Sequence, residues 1–280
     1  MNLDVILNTL DFTGQAGRTL TTEESTVLYN SLLILQNENH FSKIYFWGKI
    51  FGAEKDYYIS YGFVKDVLNA RTFYYSRDCV NWGLLPLPTE NGKLLTPLCT
   101  TIFQGDPALV IDVLIEKGET VKDVTIETPQ IRRLKEEDRL SATVYYLNHE
   151  AVLIPRGALF KRPDGVVVEN RTFDGLTELE SREIKSFLHY RPPTQMWNTN
   201  LLTRDDFTLA IDFLDSCDTD IPEGCYMHHL VAGDTLVVIK PMYWPGMLFF
   251  HYLNTPRYGF VYFGHGKKCL DVPFLLLPNL

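Results

Sequence analysis

Cys217, Cys225, His228 and His229 carry the side chains that hold soft metal ions, and they lie close together in the chain. A structural zinc site needs four such ligands in a tetrahedron. His228 and His229 are adjacent, however, so on a strand they point to opposite faces and cannot both reach one ion. Four ordinary half-buried residues are the plainer reading. Phosphate chemistry fares no better, because Gly14-Gln15-Ala16-Gly17-Arg18-Thr19 and Gly264-His265-Gly266-Lys267-Lys268 each lack the spacing of a phosphate-cradling loop. The acid pairs Asp205-Asp206 and Asp218/Asp220 fall at an expected helix start and in a turn, where carboxylates are favoured without any catalytic role. No Gly-x-Ser-x-Gly elbow occurs. The residues therefore specify no cofactor, metal or catalytic set. The competing reading is an enzyme or small-molecule binder whose site lies near Cys217–His229 or around His251 and His265.

The chain's most ordered stretch is Lys43–Phe63, KIYFWGKIFGAEKDYYISYGF. Tyr45, Trp47, Lys49 and Phe51 alternate with Ile44, Phe46, Gly48 and Ile50. Tyr57, Ile59, Tyr61 and Phe63 alternate with Tyr58, Ser60 and Gly62. That period predicts two strands joined by the polar loop Gly52–Asp56. Both faces of the first arm are largely apolar, so one face packs on a core and the other needs a cover, either a helix of this chain or another protein. Upstream, Thr21-Thr22-Glu23-Glu24 reads as a capping box for a helix of about four turns. Its stripe is Leu28, Leu32 and Leu35, widened by Val27 and Ile34, and it suits that cover.

Downstream, Arg71–Ser76 reads as a third strand and 83–98 as an irregular crossing held by a neighbour. A second helix is expected over Gln130–Ala151, with Leu140, Val144, Leu147 and Ala151 inward and the charges from Arg132 to Arg139 in solvent. Pro163-Asp164-Gly165 predicts a hairpin turn. Thr177 and Glu180 cap a third helix running to about Tyr190. A fourth is expected after Thr203 with Phe207, Ala210, Ile211 and Leu214 on one face. Cys225–Val231, Thr235–Lys240, Met247–Leu253 and Tyr258–Phe263 then read as successive strands. The expected fold class is α+β, with antiparallel sheets, packed helices and a β-rich C-terminal third. Residues 1–280 are expected to be one unit: a helical segment over 1–40, a mixed α/β portion over 41–220 and an antiparallel β portion over 221–280.

Composition agrees with a globular protein: 45% of residues are hydrophobic and 13% aromatic, which favours strands. A net charge of −9 disfavours nucleic acid, whose phosphates demand Lys and Arg. Five scattered cysteines without a Cys-x-x-Cys pair suggest neither a disulfide framework nor a zinc ribbon. Neither a basic leader nor a run of 18 apolar residues is present, so a cytosolic or cytoskeletal setting without membrane insertion is expected.

Five motifs in order carry a resemblance. They are Phe46-Trp47-Gly48-Lys49-Ile50 with Asp56-Tyr57-Tyr58-Ile59; Ile154-Pro155-Arg156-Gly157-Ala158-Leu159-Phe160-Lys161; Asn170-Arg171-Thr172-Phe173-Asp174-Gly175-Leu176; Asp220-Ile221-Pro222 with Trp244-Pro245-Gly246; and Tyr258-Gly259-Phe260-Val261-Tyr262. In these the chain resembles the radial spoke head proteins of motile cilia and flagella. The resemblance implies a non-enzymatic structural subunit of the axonemal spoke head, needed for its assembly and for relaying central-pair signals that regulate beating. The implied partners are radial spoke head proteins of the 4 and 6A types, radial spoke head protein 1 and other spoke subunits. No cofactor, nucleic acid or membrane is implied. Candidate structural or interface residues are Phe46, Trp47, Gly48, Tyr57, Tyr58, Ile59, Trp244, Tyr258 and Tyr262, because aromatic side chains supply large contact area with few rotamers to freeze.

Overall fold

The computed structural model describes residues 17–115, 120–121, 124–125, 130–194, 207–231, 233 and 235–271. Helix α1 (Thr22–Glu38) starts at the expected cap: the Thr21 hydroxyl accepts from the Glu24 N–H while the Glu24 carboxylate accepts from the Thr21 N–H. Leu28, Leu32 and Leu35 are buried as expected, and Val27 packs partly buried beside them. Ile34 is 59% exposed, contrary to expectation. At about 100° per residue it falls well off the line through Leu28, Leu32 and Leu35.

Strands β1 (Lys43–Ile50) and β2 (Tyr57–Phe63) form the predicted hairpin, with one departure from strict alternation. Pairing passes from Phe46 opposite Ser60 to Gly48 opposite Ile59, so Trp47 is the extra residue of a β-bulge. The bulge swaps the faces beyond it. Trp47 and Ile50 share one core, whereas Phe46, Phe51 and the Lys49 ammonium lie on the α1 side.

The remaining elements follow in order. They are β3 (Thr72–Ser76), β4 (Gly83–Leu84), α2 (Glu90–Leu95), β5 (Val110–Ile115), β6 (Thr120–Val121), β7 (Val124–Thr125), β8 (Gln130–Lys135), α3 (Glu136–Glu150), β9 (Leu153–Pro155), β10 (Leu159–Lys161), β11 (Val167–Glu169), α4 (Glu178–Ser181), β12 (Phe187–His189), β13 (Tyr226–Val231), β14 (Leu236–Pro241), β15 (Met247–Tyr252) and β16 (Tyr258–Gly264). The main sheet runs β13-β14-β15-β16-β1-β2-β3-β4. Every neighbouring pair is antiparallel except β1 and β16, which run parallel with Gly48 opposite Tyr262. The fold is α+β, as expected.

Both sheet faces are covered. On one side, Leu28, Leu32 and Leu35 of α1 meet Ile44, Phe46, Val238, Leu248, Phe250, Val261 and Phe263. On the other, Leu140, Val144 and Leu147 of α3 meet Trp47, Ile59, Tyr61, Val237, Ile239, Phe249 and Tyr262. Alternate residues of β14, β15 and β16 thus supply both cores, the pattern a period of two requires. Each large side chain so buried contributes roughly 1.5–3 kcal/mol. The second cover of the hairpin is therefore a helix of this chain.

Three helix expectations need correction. Residues 130–135 form β8, paired with β5, and the helix begins only at Glu136. Leu134 turns into a small core with Leu95, Val113 and Ile115, and the Glu136 carboxylate caps a backbone loop from another part of the chain; neither tie has a signal local to 130–136. The third helix is a single turn, α4, with the Thr177/Glu180 capping box present, followed by a 3-10 turn (Ile184–Ser186) and β12. Beyond Ser181 the chain is taken by pairing of β12 with β9. Residues 207–216 form turns and extended chain in place of a fourth helix, since Asp212 is drawn into a buried ion pair with Arg156. The start of that helix lies outside the described residues.

Two titrating groups make stability depend on acid. The Glu24 carboxylate is partly buried, which alone would raise its pKa, but hydrogen bonds from Lys49 (2.8 Å), Tyr58 (2.5 Å) and the Thr21 N–H hold it down at about 2 against an ordinary 4.5. His251 is fully buried. Its Nδ1–H donates to the Arg257 carbonyl (3.1 Å) and its Nε2 accepts from the Leu176 N–H (3.0 Å), the neutral tautomer, and burial lowers its pKa from 6.5 to about 4. Both folded values lie below the unfolded ones, so the stability they confer is present above the unfolded pKa and lost as pH falls. The urea midpoint should decline from pH 6.5 toward 4 through His251, and again from 4.5 toward 2 through Glu24. Glu24→Gln should flatten the second decline. A midpoint constant between pH 6.5 and 4 would refute the assignment to His251.

Candidate functional site

The nine aromatic, glycine and aliphatic candidates sit inside the molecule. Phe46, Trp47, Tyr57, Ile59 and Tyr262 are fully buried, Tyr58, Trp244 and Gly48 are buried, and Tyr258 is half-buried. The structure brings Trp47 and Tyr262 together with ring centroids 5.5 Å apart, while Phe46 turns to the opposite core beside Phe263 at 6.5 Å. Their polar atoms are used inward. Trp47 Nε1 donates to Asn148 (3.0 Å), Trp244 Nε1 to Glu150 (2.8 Å), Tyr57 to Glu136 (2.7 Å), and the Tyr262 hydroxyl accepts from the Gly266 N–H (2.9 Å). Side chains so placed brace the sheet and present almost nothing to a partner.

The Cys217–His229 region is likewise occupied by packing. Cys217 donates to the Ile184 carbonyl (3.3 Å) and burial pushes its thiol pKa well up, away from the reactive thiolate. His228 pairs with Ile239 and its ring lies tilted against Phe187, whereas His229 pairs with Val238, so the two imidazoles lie on opposite faces of β13. Burial lowers the pKa of both. Among the described residues, no three His, Cys, Asp or Glu side chains are grouped to hold a metal ion. Asp220 accepts from Tyr226 (2.6 Å) and pairs with His189 (3.0 Å), tying the segment before β13 to β12.

Sequence reasoning missed the charged side chains that matter most. Glu136, read as part of a solvated run, is fully buried. Its carboxylate accepts from Tyr57 and from the N–H groups of Gln104 (2.9 Å), Gly105 (2.7 Å) and Asp106 (3.1 Å). One turn on, Arg139 is 1% exposed; it donates to the Thr101 carbonyl (2.6 Å) and lies 4.1 Å over the Phe103 ring. Burial lowers its pKa. Arg156 and Asp212 form a bidentate pair at 2.5 and 2.7 Å. The available signal was the phase of α3: Glu136, Leu140, Val144 and Leu147 share one face, so Glu136 continues the apolar stripe.

What the surface offers lies around 84–88 and α3. Leu84 is 59% exposed, Leu87 89% and Tyr145 38%. Together with Phe73, Leu85, Pro86, Pro88 and Val144 they line an open groove of about 560 Å³. The loop is anchored to the helix because Ser141 Oγ donates to the Pro86 carbonyl (2.5 Å). Arg71, His149 and Arg191 also line it, and among the described residues no acidic one does.

A family model described as radial spokehead-like protein matches residues 1–70. Over 280 residues, 99% of this chain and all of the relative, the chain is 36% identical to the radial spoke head protein 9 homolog of Mus musculus and 35% identical to that of Homo sapiens. It is also 36% identical to the Danio rerio homolog over 277 residues.

The chain belongs to the radial spoke head protein 9 family.

The motifs that resemble radial spoke head proteins mark places where backbone or buried charge leaves little freedom. In Trp244-Pro245-Gly246, Gly246 has φ +100° and a Cβ there would lie 2.1 Å from the Phe263 carbonyl oxygen, so the turn between β14 and β15 can nest on β16. The motif 154–161 carries Arg156 of the buried pair. In 170–176, the Asn170 side-chain amide donates to the Gly157 carbonyl (2.8 Å), Phe173 packs edge-on to Tyr258, and Leu176 supplies the N–H that His251 accepts. The radial spoke head signature in this chain is a packing signature. No helix among the described residues is long and apolar enough to cross a membrane.

Proposed function

We propose that this chain is a structural subunit of the radial spoke head of the ciliary or flagellar axoneme, working by shape and contact without turnover. Support comes from the full-length similarity to proteins named radial spoke head protein 9 homologs, the single observation that carries the reading. It also comes from the inward use of the residues that could have done chemistry. On this reading the chain is required for spoke head assembly and for relaying central-pair signals to beating. Its partners are radial spoke head proteins of the 4 and 6A types, radial spoke head protein 1 and other spoke subunits. Residues 1–280 act as one domain, because β1 near the start and β16 near the end lie side by side in one sheet. The aromatic set Phe46, Trp47, Gly48, Tyr57, Tyr58, Ile59, Trp244, Tyr258 and Tyr262 supplies the frame, leaving docking to the surface.

The test is replacement of the endogenous protein by a tagged copy in ciliated cells. Tagged chain in the axoneme, co-purifying with 4/6A-type proteins, and loss of spoke heads on its removal are the expected results. Normal spoke heads in cells without the chain would overturn the reading.

A further inference from the structure

We propose that the groove between residues 84–88 and α3 is a docking site for an extended, apolar segment of a partner protein that carries carboxylates. The inference rests on the spoke-subunit reading and names the surface through which such a subunit would be held. Three observations support it.

The groove is built before any partner arrives: Ser141 pins the Pro86 carbonyl, and Leu85 and Val144 form a buried floor. Its rim is apolar and open. Leu84 and Leu87 project into solvent at the edge of the main sheet, which fits a segment crossing the groove better than a small molecule enclosed in it.

Its charge is of one sign. In a chain of net charge −9, the groove has two guanidinium groups and, among the described residues, no carboxylate along its lining. Arg191 is paired with Asp215 (2.6 Å), but Arg71 makes no ion pair among the described residues; it lies 4.3 Å over the Tyr190 ring and donates to the Tyr190 carbonyl (3.0 Å). His149 adds no charge near neutrality, since burial and the neighbouring Arg191 lower its pKa. A partner bearing apolar side chains beside Asp or Glu meets both features, and a cationic one meets neither.

The probe is a phage-displayed library of random peptides selected against the purified full-length chain, with the best sequences remade and measured by fluorescence anisotropy. Selected peptides should combine leucine or aromatic residues with Asp or Glu. They should bind at least about tenfold more weakly to Leu87→Glu, a change on a side chain 89% exposed that leaves the fold unaltered, and should weaken with added salt. Tyr145→Glu, on the opposite wall, should act in the same direction.

Failure to enrich any peptide, enrichment of cationic ones, or binding unchanged in Leu87→Glu would each overturn the proposal. So would saturable binding of a small apolar dye that no peptide displaces, or self-association of the chain that Leu87→Glu abolishes. Capture from ciliary extract separates this site from the spoke reading. Spoke proteins recovered equally by wild type and Leu87→Glu would discard the groove and keep the subunit role. None recovered by wild type would discard the subunit role, while the peptide selection still decides the groove.

Discussion

Gly48→Ala should leave this chain largely unfolded, with little soluble protein and no cooperative melt. Gly48 sits at the junction where β1 runs parallel to β16, directly opposite Tyr262. A Cβ there would lie 2.3 Å from the Tyr262 carbonyl oxygen and 2.7 Å from its nitrogen, both backbone atoms with nowhere to go. Its φ of +155° is a further penalty for any side chain. Relief would require β16 to part from β1, the strand pairing that joins β13–β16 to β1–β4 within the main sheet. The loss should exceed about 4 kcal/mol, a large share of the roughly 5–15 kcal/mol that holds a domain folded. Gly48→Asp adds a buried charge and should be worse. Trp47→Ala, which empties a fully buried site and strands Asn148, should cost about 3–5 kcal/mol and still leave some folded protein. Circular-dichroism melts of the purified variants decide the matter. If Gly48→Ala melted like wild type yet lost its partners, the residue would belong to an interface and the packing argument would fail.

Glu136→Ala should cost about 3–5 kcal/mol, comparable to breaking a buried ion pair. Its fully buried carboxylate is the common acceptor for the Tyr57 hydroxyl and three consecutive backbone N–H groups of residues 104–106, and the Tyr57 and Gly105 bonds are themselves buried away from water. Removing it orphans four donors at once. Tyr57→Phe removes only one donor and should cost about 1 kcal/mol. Glu136→Gln keeps the volume but turns one acceptor into a donor facing donors, so it should fall between the two. Urea unfolding of the three variants gives the order. Equal losses for Tyr57→Phe and Glu136→Ala would show that the backbone donors of 104–106 gain nothing from the carboxylate.

Much of the frame was legible from local pattern. The β1–β2 hairpin and the four C-terminal strands have a period of two, and α1 begins with a capping box; each signal lies within the segment it describes. The bulge at Trp47 was not legible, because an extra residue shows itself only against a partner strand. Nor was β8: Gln130–Lys135 carries too few apolar residues to announce a strand, and only its pairing with β5 makes it one. The helix expected beyond Ser181 gave way for the same reason, as β12 pairs with β9.

By itself the sequence determined the α+β class and the spoke-head family membership carried by its ordered motifs. Tertiary structure alone decided which charges are inside and which apolar side chains are left out. Glu136 and Arg139 read as part of a solvated run until the 101–106 loop closes over them, and Leu87, in the irregular 83–98 crossing, is left uncovered by its neighbours. Side-chain period is a property of the local backbone, whereas burial is set by chain segments distant in sequence, so the first can be read along the chain and the second only across it.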